Sequence, residues 1–377
     1  MNSSDQKISI LFVIGGLEFG GGERVFLQLA SGLKDRYRVF VATSTNGLFT
    51  SELNRLGIEV FSVDMSRQLT LKPIYQIKKI IRNNEIDLVH SQGARADFFA
   101  RSAGRIANAP HILCTVAMPV EGFEVGPLRK TIYRFMDGLS ERYVEKFIVV
   151  SESLKNTLIK ERGIPPHRVV RIYNGIEIDK YNPKLKKTSF RNNWGIPPAV
   201  PIVGAIGRMV WQKGFKFLIK AIPDIVGVTP NARFLLVGDG PLRPDLENLA
   251  RKLNVYDRII FTGFRSDIPD LLSTMDVLAV PSLLEGFPMI TLEAMALATP
   301  VVATQIHGIT EQIVDGKEGV LIPPRNTDAL ARAVKQLITD RELSARLGTA
   351  ARKRVESSFS VEKMVRETEK VYSSLLK

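Results

Sequence analysis

Two glutamates bracket an otherwise apolar segment, Glu285-Gly-Phe-Pro-Met-Ile-Thr-Leu-Glu293. The strand-like run Val277-Leu-Ala-Val-Pro281 leads into it, and the strong helix formers Thr291-Leu-Glu-Ala-Met-Ala-Leu297 follow. Gly286 and Pro288 therefore fall where a loop gives way to a first helical turn. In an open parallel sheet, a loop at the carboxyl end of a strand is where ligands bind. The new helix points free N–H groups and a positive dipole end at an arriving anion, typically a phosphate. Glu285 then lies beside the phosphate-proximal part of a ligand, while Glu293, about two turns on, accepts hydrogen bonds from more distant hydroxyls. Two carboxylates near a phosphate repel it unless cations are close.

The cations are found in Ile206-Gly207-Arg208-Met209-Val210-Trp211-Gln212-Lys213-Gly214. Arg208 and Lys213 follow a strand end and precede a helix, so both can turn towards one crevice; guanidinium offers a fork matched to phosphate and lysine a point charge. The loop Val237-Gly238-Asp-Gly-Pro241 adds a second glycine turn. A third anion-binding pattern, strand then glycine loop then helix, is Gly15-Gly16-Leu17-Glu18-Phe19-Gly20-Gly21-Gly22-Glu23. Its spacing is not Gly-x-Gly-x-x-Gly, which speaks against a nicotinamide-dependent dehydrogenase. There is no Asp-x-Asp pair and no His/Cys cluster at ligand spacing, so neither metal nor cofactor is expected. Arg208, Lys213 and a helix dipole can supply the neutralising charge instead.

These loops need a scaffold to aim them. Apolar, mostly β-branched runs are expected as strands at Ile8–Ile14, Val39–Thr43, Val60–Val63, Ile86–His90, Ile112–Val116, Phe147–Val150 and Val169–Ile172, then at Ile202–Ile206, Phe234–Val237, Ile259–Thr262, Val277–Val280, Val301–Thr304 and Val320–Ile322. Amphipathic stretches alternate with them, among them Val25–Leu33, Ile74–Asn83, Asp97–Ile106, Phe215–Ile225, Leu242–Leu253, Ile268–Ser273, Glu293–Ala298 and Thr327–Ile338. Such alternation reads as parallel sheets with crossover helices. At 377 residues two domains are expected. Tyr181–Pro201 breaks the pattern with prolines, bases and no acid, and is expected to be the inter-domain linker; residues 1–180 and 201–360 then form the domains. A final helix over Val361–Leu376 is long enough to cross back to the first of them.

The leading residues MNSSDQK run straight into an apolar strand, so no signal peptide is expected, and no apolar run reaches membrane-spanning length. The single cysteine, Cys114, excludes an internal disulfide framework and fits a cytoplasmic, reducing compartment. The net charge of +13 divides into +6 over residues 1–180 and +7 over the rest. Nucleic acid, an acidic membrane face and an anionic substrate all answer to that charge. A nucleic-acid binder would concentrate its bases among aromatics, which this even spread does not do, so none is expected as a partner.

Gly20-Gly-Gly-Glu23, Asn174-Gly-Ile176, Gly207-Arg208 with Lys213-Gly214, Gly238-x-Gly-Pro241 and the glutamate pair occur in that order. Over about residues 8 to 340 this series resembles the retaining GT-B glycosyltransferases of the family 4 type, which include bacterial polysaccharide and lipid mannosyl- and hexosyltransferases. The resemblance implies an α/β fold of two Rossmann-like domains facing across a cleft, the first recognising a saccharide or lipid-linked acceptor and the second a nucleotide diphosphate sugar. It implies that Arg208 and Lys213 hold the diphosphate and stabilise the leaving group. Glu293 would hold the ribose hydroxyls, Glu285 would contact the donor sugar, and Arg265 would lie near the base. Backbone N–H groups of Gly286, Phe287 and the residues that follow Pro288, Met289 and Ile290, would border the phosphates, with Gly207 and Gly238 close by and Gly21 and Gly22 approaching from the other domain. Transfer of a hexose in surface polysaccharide or lipopolysaccharide synthesis follows as the implied activity. The alternative is a nucleotide-sugar-binding scaffold without strong catalysis.

His90 closes a strand where related enzymes often place a histidine-bearing loop, and it is a catalytic candidate on the acceptor side. A lone histidine there is more often a hydrogen-bonded structural residue. Family members commonly carry Thr-x-His after the next strand; this chain has Thr115-Val116-Ala117, and that departure motivates the scaffold alternative. His111 and His307 have weaker claims. Residues 128–143 mix apolar side chains with Arg129, Lys130, Arg134 and Arg142 behind a loop carrying Phe123, Gly126 and Pro127. They read either as an amphipathic helix on anionic lipid, making the protein peripheral on the inner membrane face, or as an ordinary core helix with a charged outer side.

Overall fold

The computed structural model describes residues 7–15, 20–44, 47–66, 70–118, 137–183 and 189–376. The chain forms two compact units: Met1–Gly175 together with Val361–Lys377, and Ile176–Ser360.

In the first unit the elements run β1 (Ser9–Ile14), α1 (Gly21–Leu33), β2 (Arg38–Thr43), α2 (Leu48–Arg55), β3 (Glu59–Ser62), α3 (Lys72–Asn83), β4 (Leu88–Gln92), α4 (Ala94–Ala107), β5 (His111–Val116), β6 (Lys146–Val149), α5 (Glu152–Asn156) and β7 (Val169–Arg171). The second unit contributes α6 (Ser189–Asn193), β8 (Ile202–Ile206), α7 (Phe215–Val228), β9 (Arg233–Val237), α8 (Arg243–Lys252), β10 (Ile259–Gly263), α9 (Ile268–Thr274), β11 (Val277–Val280), α10 (Met289–Ala296), β12 (Val301–Thr304), α11 (Ile309–Gln312), β13 (Val320–Ile322), α12 (Thr327–Thr339) and α13 (Arg341–Ser358). The last helix, α14 (Val361–Leu375), belongs to the first unit.

Both sheets are parallel, in orders β3-β2-β1-β4-β5-β6-β7 and β10-β9-β8-β11-β12-β13. Each is a Rossmann-like sheet with helices on both faces, which is why β1 and β11 are buried along their whole length and read as unbroken apolar runs. The strand order reverses between β1 and β4 in one sheet and between β8 and β11 in the other. A crevice opens at the carboxyl ends of the strands at such a reversal, and loops there bind ligands. Glycine-rich Gly20–Glu23 follows β1 and the Arg208–Lys213 stretch follows β8; the Glu285 loop follows β11.

Every expected strand forms, most within a residue or two of its expected bounds; β4 runs on through Gln92 instead of stopping at His90. Helix α10 starts at Met289 behind the N-capping Pro288, four residues before the expected Glu293. Five of these helices were not expected: α2, the short α5, α6 and α11, and the eighteen-residue α13. The segment read as a linker is held inside the second unit. Arg191 donates to Val200 O (2.6 Å), Thr274 O (2.9 Å) and Asp276 Oδ2 (2.9 Å), pinning α6 beside the second sheet. The second unit is entered at Ile176 and left at Ser360, which pair as an isolated bridge, so the crossings lie side by side.

Candidate functional site

In the second unit, Lys213 ends a short 3-10 turn (Trp211–Lys213) that delivers its amine to the loop after β11. Lys213 Nζ donates to both oxygens of Glu285, at 2.7 and 3.0 Å. Ser282 Oγ donates to Glu285 Oε1 at 2.8 Å, so the carboxylate is fixed from two sides. Its side chain is 4% exposed against 24% for Lys213. The expectation gave these residues separate partners on a ligand; in this structure they are partners of each other. Arg208, one residue past Gly207, is exposed beside the same strand end.

The surrounding loops are tied together through the backbone. Gly207 N–H donates to Val237 O (2.9 Å), Met209 N–H to Asp239 O (2.7 Å), and Gly238 N–H to Gly263 O (2.8 Å), so the loops after β8, β9 and β10 form one platform. Gly308, at φ +81, lies so close to the Glu285 loop that an added Cβ would stand 2.1 Å from Gly286 O. Phe287 is buried with its ring 5.4 Å from that of Phe359, and Met289 is buried as well. Their side chains are anchors, and what this turn can offer a ligand is backbone N–H at the start of α10, where Ile290 is half-buried. His307 is exposed.

Glu293, on α10, is 2% exposed. Its Oε1 accepts the Tyr181 hydroxyl at 3.0 Å. Arg265 forms a fork with Asp267 (Nε to Oδ1 2.9 Å, Nη2 to Oδ2 2.5 Å) and sits 5.5 Å above the Phe190 ring. The hydrogen bonds that Arg265 donates to Asp267 raise its already high pKa further.

In the first unit, Gly21 and Gly22 open α1, and the Glu23 carboxylate accepts Gly20 N–H at 3.0 Å. Gly22 makes room for the end of β4: a Cβ there would stand 2.6 Å from Gln92 Nε2. Residues 16–19 of that loop lie outside the described residues, as do Phe123, Gly126, Pro127 and most of the 128–143 stretch read as a lipid-facing or core helix.

His90 calls for a correction. It is fully buried, with Nδ1 2.6 Å from Tyr372 Oη on α14 and Nε2 2.7 Å from Thr115 Oγ1. The rings of Phe12 and Phe26 lie 5.4 and 5.0 Å away. Burial pushes its pKa down to about 3, so the imidazole is neutral. Both nitrogens are engaged inside the core, which suits a clasp for α14 and not a proton carrier. Ala117, beyond β5, is half-buried and supplies no side-chain chemistry.

Sequence reading also missed a buried ionic knot under the first sheet. Arg101, 1% exposed, donates to Asp137 Oδ1 (2.5 Å) and Cys114 Sγ (2.9 Å), with Asp97 Oδ2 at 3.7 Å. Burial raises Asp97 to about 6 against the pull of Arg101 and of the Ser91 hydroxyl, 2.7 Å away. Among the described residues no group of three or more His, Cys, Asp or Glu could hold a metal ion.

A two-unit fold with a basic and acidic site on the carboxyl edge of the second sheet is the architecture of a GT-B glycosyltransferase. Residues 19–180 match the family described as Glycosyltransferase Family 4, and residues 186–354 the family described as Glycosyl transferases group 1. An uncharacterized glycosyltransferase of Methanocaldococcus jannaschii is 32% identical over 79% of this chain and 78% of its own length. The Escherichia coli UDP-Gal:alpha-D-GlcNAc-diphosphoundecaprenol alpha-1,3-galactosyltransferase is 25% identical over 100% of this chain and 99% of its own. The crystal structure of Anabaena HepE in complex with UDP-glucose superposes with a TM-score of 0.85 at 25% identity, covering 97% of this chain and all of that one. The chain belongs to the GT-B glycosyltransferases of family 4 type.

Proposed function

We propose that the protein is a retaining glycosyltransferase of polysaccharide or lipopolysaccharide synthesis. It takes a hexose from a nucleotide diphosphate sugar, UDP-linked in preference to GDP-linked, to a lipid-linked or growing saccharide. The observation that carries the reading is the Lys213–Glu285 pair, its carboxylate buried and its amine partly exposed, standing at the β8/β11 reversal. The preference for uridine is supported by the UDP-glucose complex of the Anabaena relative, and the acceptor class by the diphosphoundecaprenol substrate in the name of the E. coli one.

On this reading Lys213 and Arg208 receive the diphosphate and stabilise the charge that develops on it as the glycosidic bond breaks. Preorganised cations aimed at developing charge commonly supply the largest share of such catalysis. Ile290 and its neighbours offer N–H groups at the head of α10, Glu285 meets the sugar, and Glu293 accepts the ribose hydroxyls. Arg265 stands by the base. With two cations and a helix terminus on the phosphates, no divalent metal or other cofactor is required.

Peripheral contact with anionic membrane is supported by α3. Its outer side exposes Tyr75 (68%), with Leu71 (76%) at the N-cap, among Lys72, Lys79 and Arg82, and the helix contains no acid. Aromatic and basic residues together suit the lipid headgroup layer. Among the described residues no helix is long and apolar enough to cross a membrane.

The test is a panel of UDP- and GDP-sugars with an undecaprenyl-diphosphate saccharide, reading release of nucleotide diphosphate. Acceptor-dependent release, abolished by Glu293→Ala, is expected. Ala117 favours a second reading, a donor-binding scaffold; intact donor binding with no acceptor-dependent release would establish that one instead.

A further inference from the structure

Tyr181 lies in the stretch that reads as a linker, yet both ends of the residue are fastened to the helix carrying Glu293. Its hydroxyl donates to Glu293 Oε1 at 3.0 Å in a buried setting. Its carbonyl accepts from Arg352 Nη1, and the same nitrogen donates to Ala296 O, the last residue of α10. Arg352 on α13 thus holds Tyr181 against the carboxyl end of α10, where a cation is also favoured by the helix dipole. The phenol and the carboxylate it touches share one rigid reference. A glutamate side chain has three rotatable bonds and gives up freedom whenever it must present its oxygens in one orientation. A fixed donor on one oxygen settles that orientation beforehand.

We infer that Tyr181 is a positioning residue for Glu293, holding the carboxylate ready for the ribose diol of the donor nucleotide and so setting the preference for ribose over deoxygenated sugars. The inference rests on the donor-site reading above. The phenol itself touches no ligand; it acts through Glu293. Arg352 acts one step further back, through the Tyr181 backbone.

The test uses the full chain and calorimetric binding of UDP and 2′,3′-dideoxy-UDP, with GDP and its dideoxy analogue in parallel so that base preference does not decide the result. Tyr181→Phe keeps the ring and its packing and removes only the hydroxyl. Wild type should favour the ribose form. In Tyr181→Phe that advantage should shrink about tenfold, the scale of one charge-assisted hydrogen bond, while affinity for the dideoxy form stays within about twofold. Equal weakening of both ligands would show that Tyr181 merely supports the fold and would overturn the inference. The Glu293→Ala variant separates the two levels. If it abolishes the ribose advantage and Tyr181→Phe does not, the inference alone falls. If Glu293→Ala leaves the advantage untouched, or neither nucleotide binds, the donor-site reading falls and this one with it.

Discussion

Lys213 is expected to serve both the fold and the reaction, and the two contributions can be separated by pairing Lys213→Met with Glu285→Gln. The Glu285 carboxylate is 4% exposed and its charged partner is Lys213, at 2.7 and 3.0 Å. Lys213→Met leaves that carboxylate buried with the Ser282 hydroxyl. Breaking a buried pair from one side costs about 3–5 kcal/mol; because Lys213 is 24% exposed and water can reach the vacated space, about 2–4 kcal/mol is expected. At roughly 2–4 °C per kcal/mol, the melting temperature should fall by about 5–15 °C. Glu285→Gln leaves a lysine that can turn to solvent and should cost less than about 1.5 kcal/mol. In the double variant neither charge remains, so stability should recover by about 1.5–3 kcal/mol relative to the sum of the singles. Turnover should not recover. Loss of one preorganised cation from a departing diphosphate lowers kcat by about 10²–10³-fold, and removing Glu285 as well does nothing to restore it. Thermal unfolding by circular dichroism and acceptor-dependent nucleotide release check the two halves. Additive stabilities within about 0.5 kcal/mol would refute the coupling. Turnover that returns together with stability would show that Lys213 matters only for the fold.

Three further outcomes are expected. His90 has its pKa depressed to about 3, so the unfolded chain binds the extra proton between there and the ordinary value of about 6.5, and the stability this residue contributes is lost as the pH falls through that window. Asp97, raised to about 6, works in the opposite direction above its ordinary value and masks the effect in wild type. The stability gap between wild type and His90→Gln should therefore narrow by about 2 kcal/mol from pH 6.5 to 4.5, measured by urea denaturation; a constant gap would contradict a neutral, buried imidazole. Vesicles containing phosphatidylglycerol should co-sediment the protein where pure phosphatidylcholine vesicles do not, and Lys79→Glu/Arg82→Glu should weaken that binding by about 2 kcal/mol or more, at about 1 kcal/mol per base removed. Equal binding to both vesicle types would remove α3 from the lipid reading. Transfer should be unchanged in excess EDTA; a loss of activity restored by a divalent cation would contradict neutralisation by Lys213 and Arg208 alone.

The sheets were legible because a parallel strand covered on both faces must be apolar throughout, and β1, β8 and β11 are short unbroken runs bounded by glycine or proline. The loops around Arg208, Lys213 and Glu285 were legible for a related reason: glycines and charges directly after such a run mark a strand's carboxyl end. What escaped depends on partners distant in the chain. His90 looked like a reactive group since nothing near it in sequence announces Tyr372, 282 residues on, or the phenylalanine rings that dehydrate it. Tyr181 looked like linker because its surroundings are prolines and bases, while the carboxylate it serves is 112 residues away. Helix α13 carries few apolar residues, four of its eighteen being buried, so its periodicity is faint, and Arg, Ala and Glu propensity alone is a weak signal.

The pairing of Lys213 with Glu285 bears on how a site rich in carboxylates can accept a diphosphate. An unpaired glutamate this deeply buried would be costly, and an unpaired lysine beside it would be a strong but indiscriminate anion trap. Paired, each pays part of the other's desolvation, and a phosphate gains only by sharing the lysine. In the proposed donor site, sharing would require the rest of the ligand to compensate, through the N–H groups heading α10, through Arg208, and through the inferred ribose contact on Glu293 for which Tyr181 would position the carboxylate. Inorganic phosphate can use the first two and not the third. The site should therefore discriminate strongly against free phosphate in favour of a nucleoside diphosphate, a selectivity that depends on Glu293 and Tyr181 more than on the number of positive charges nearby.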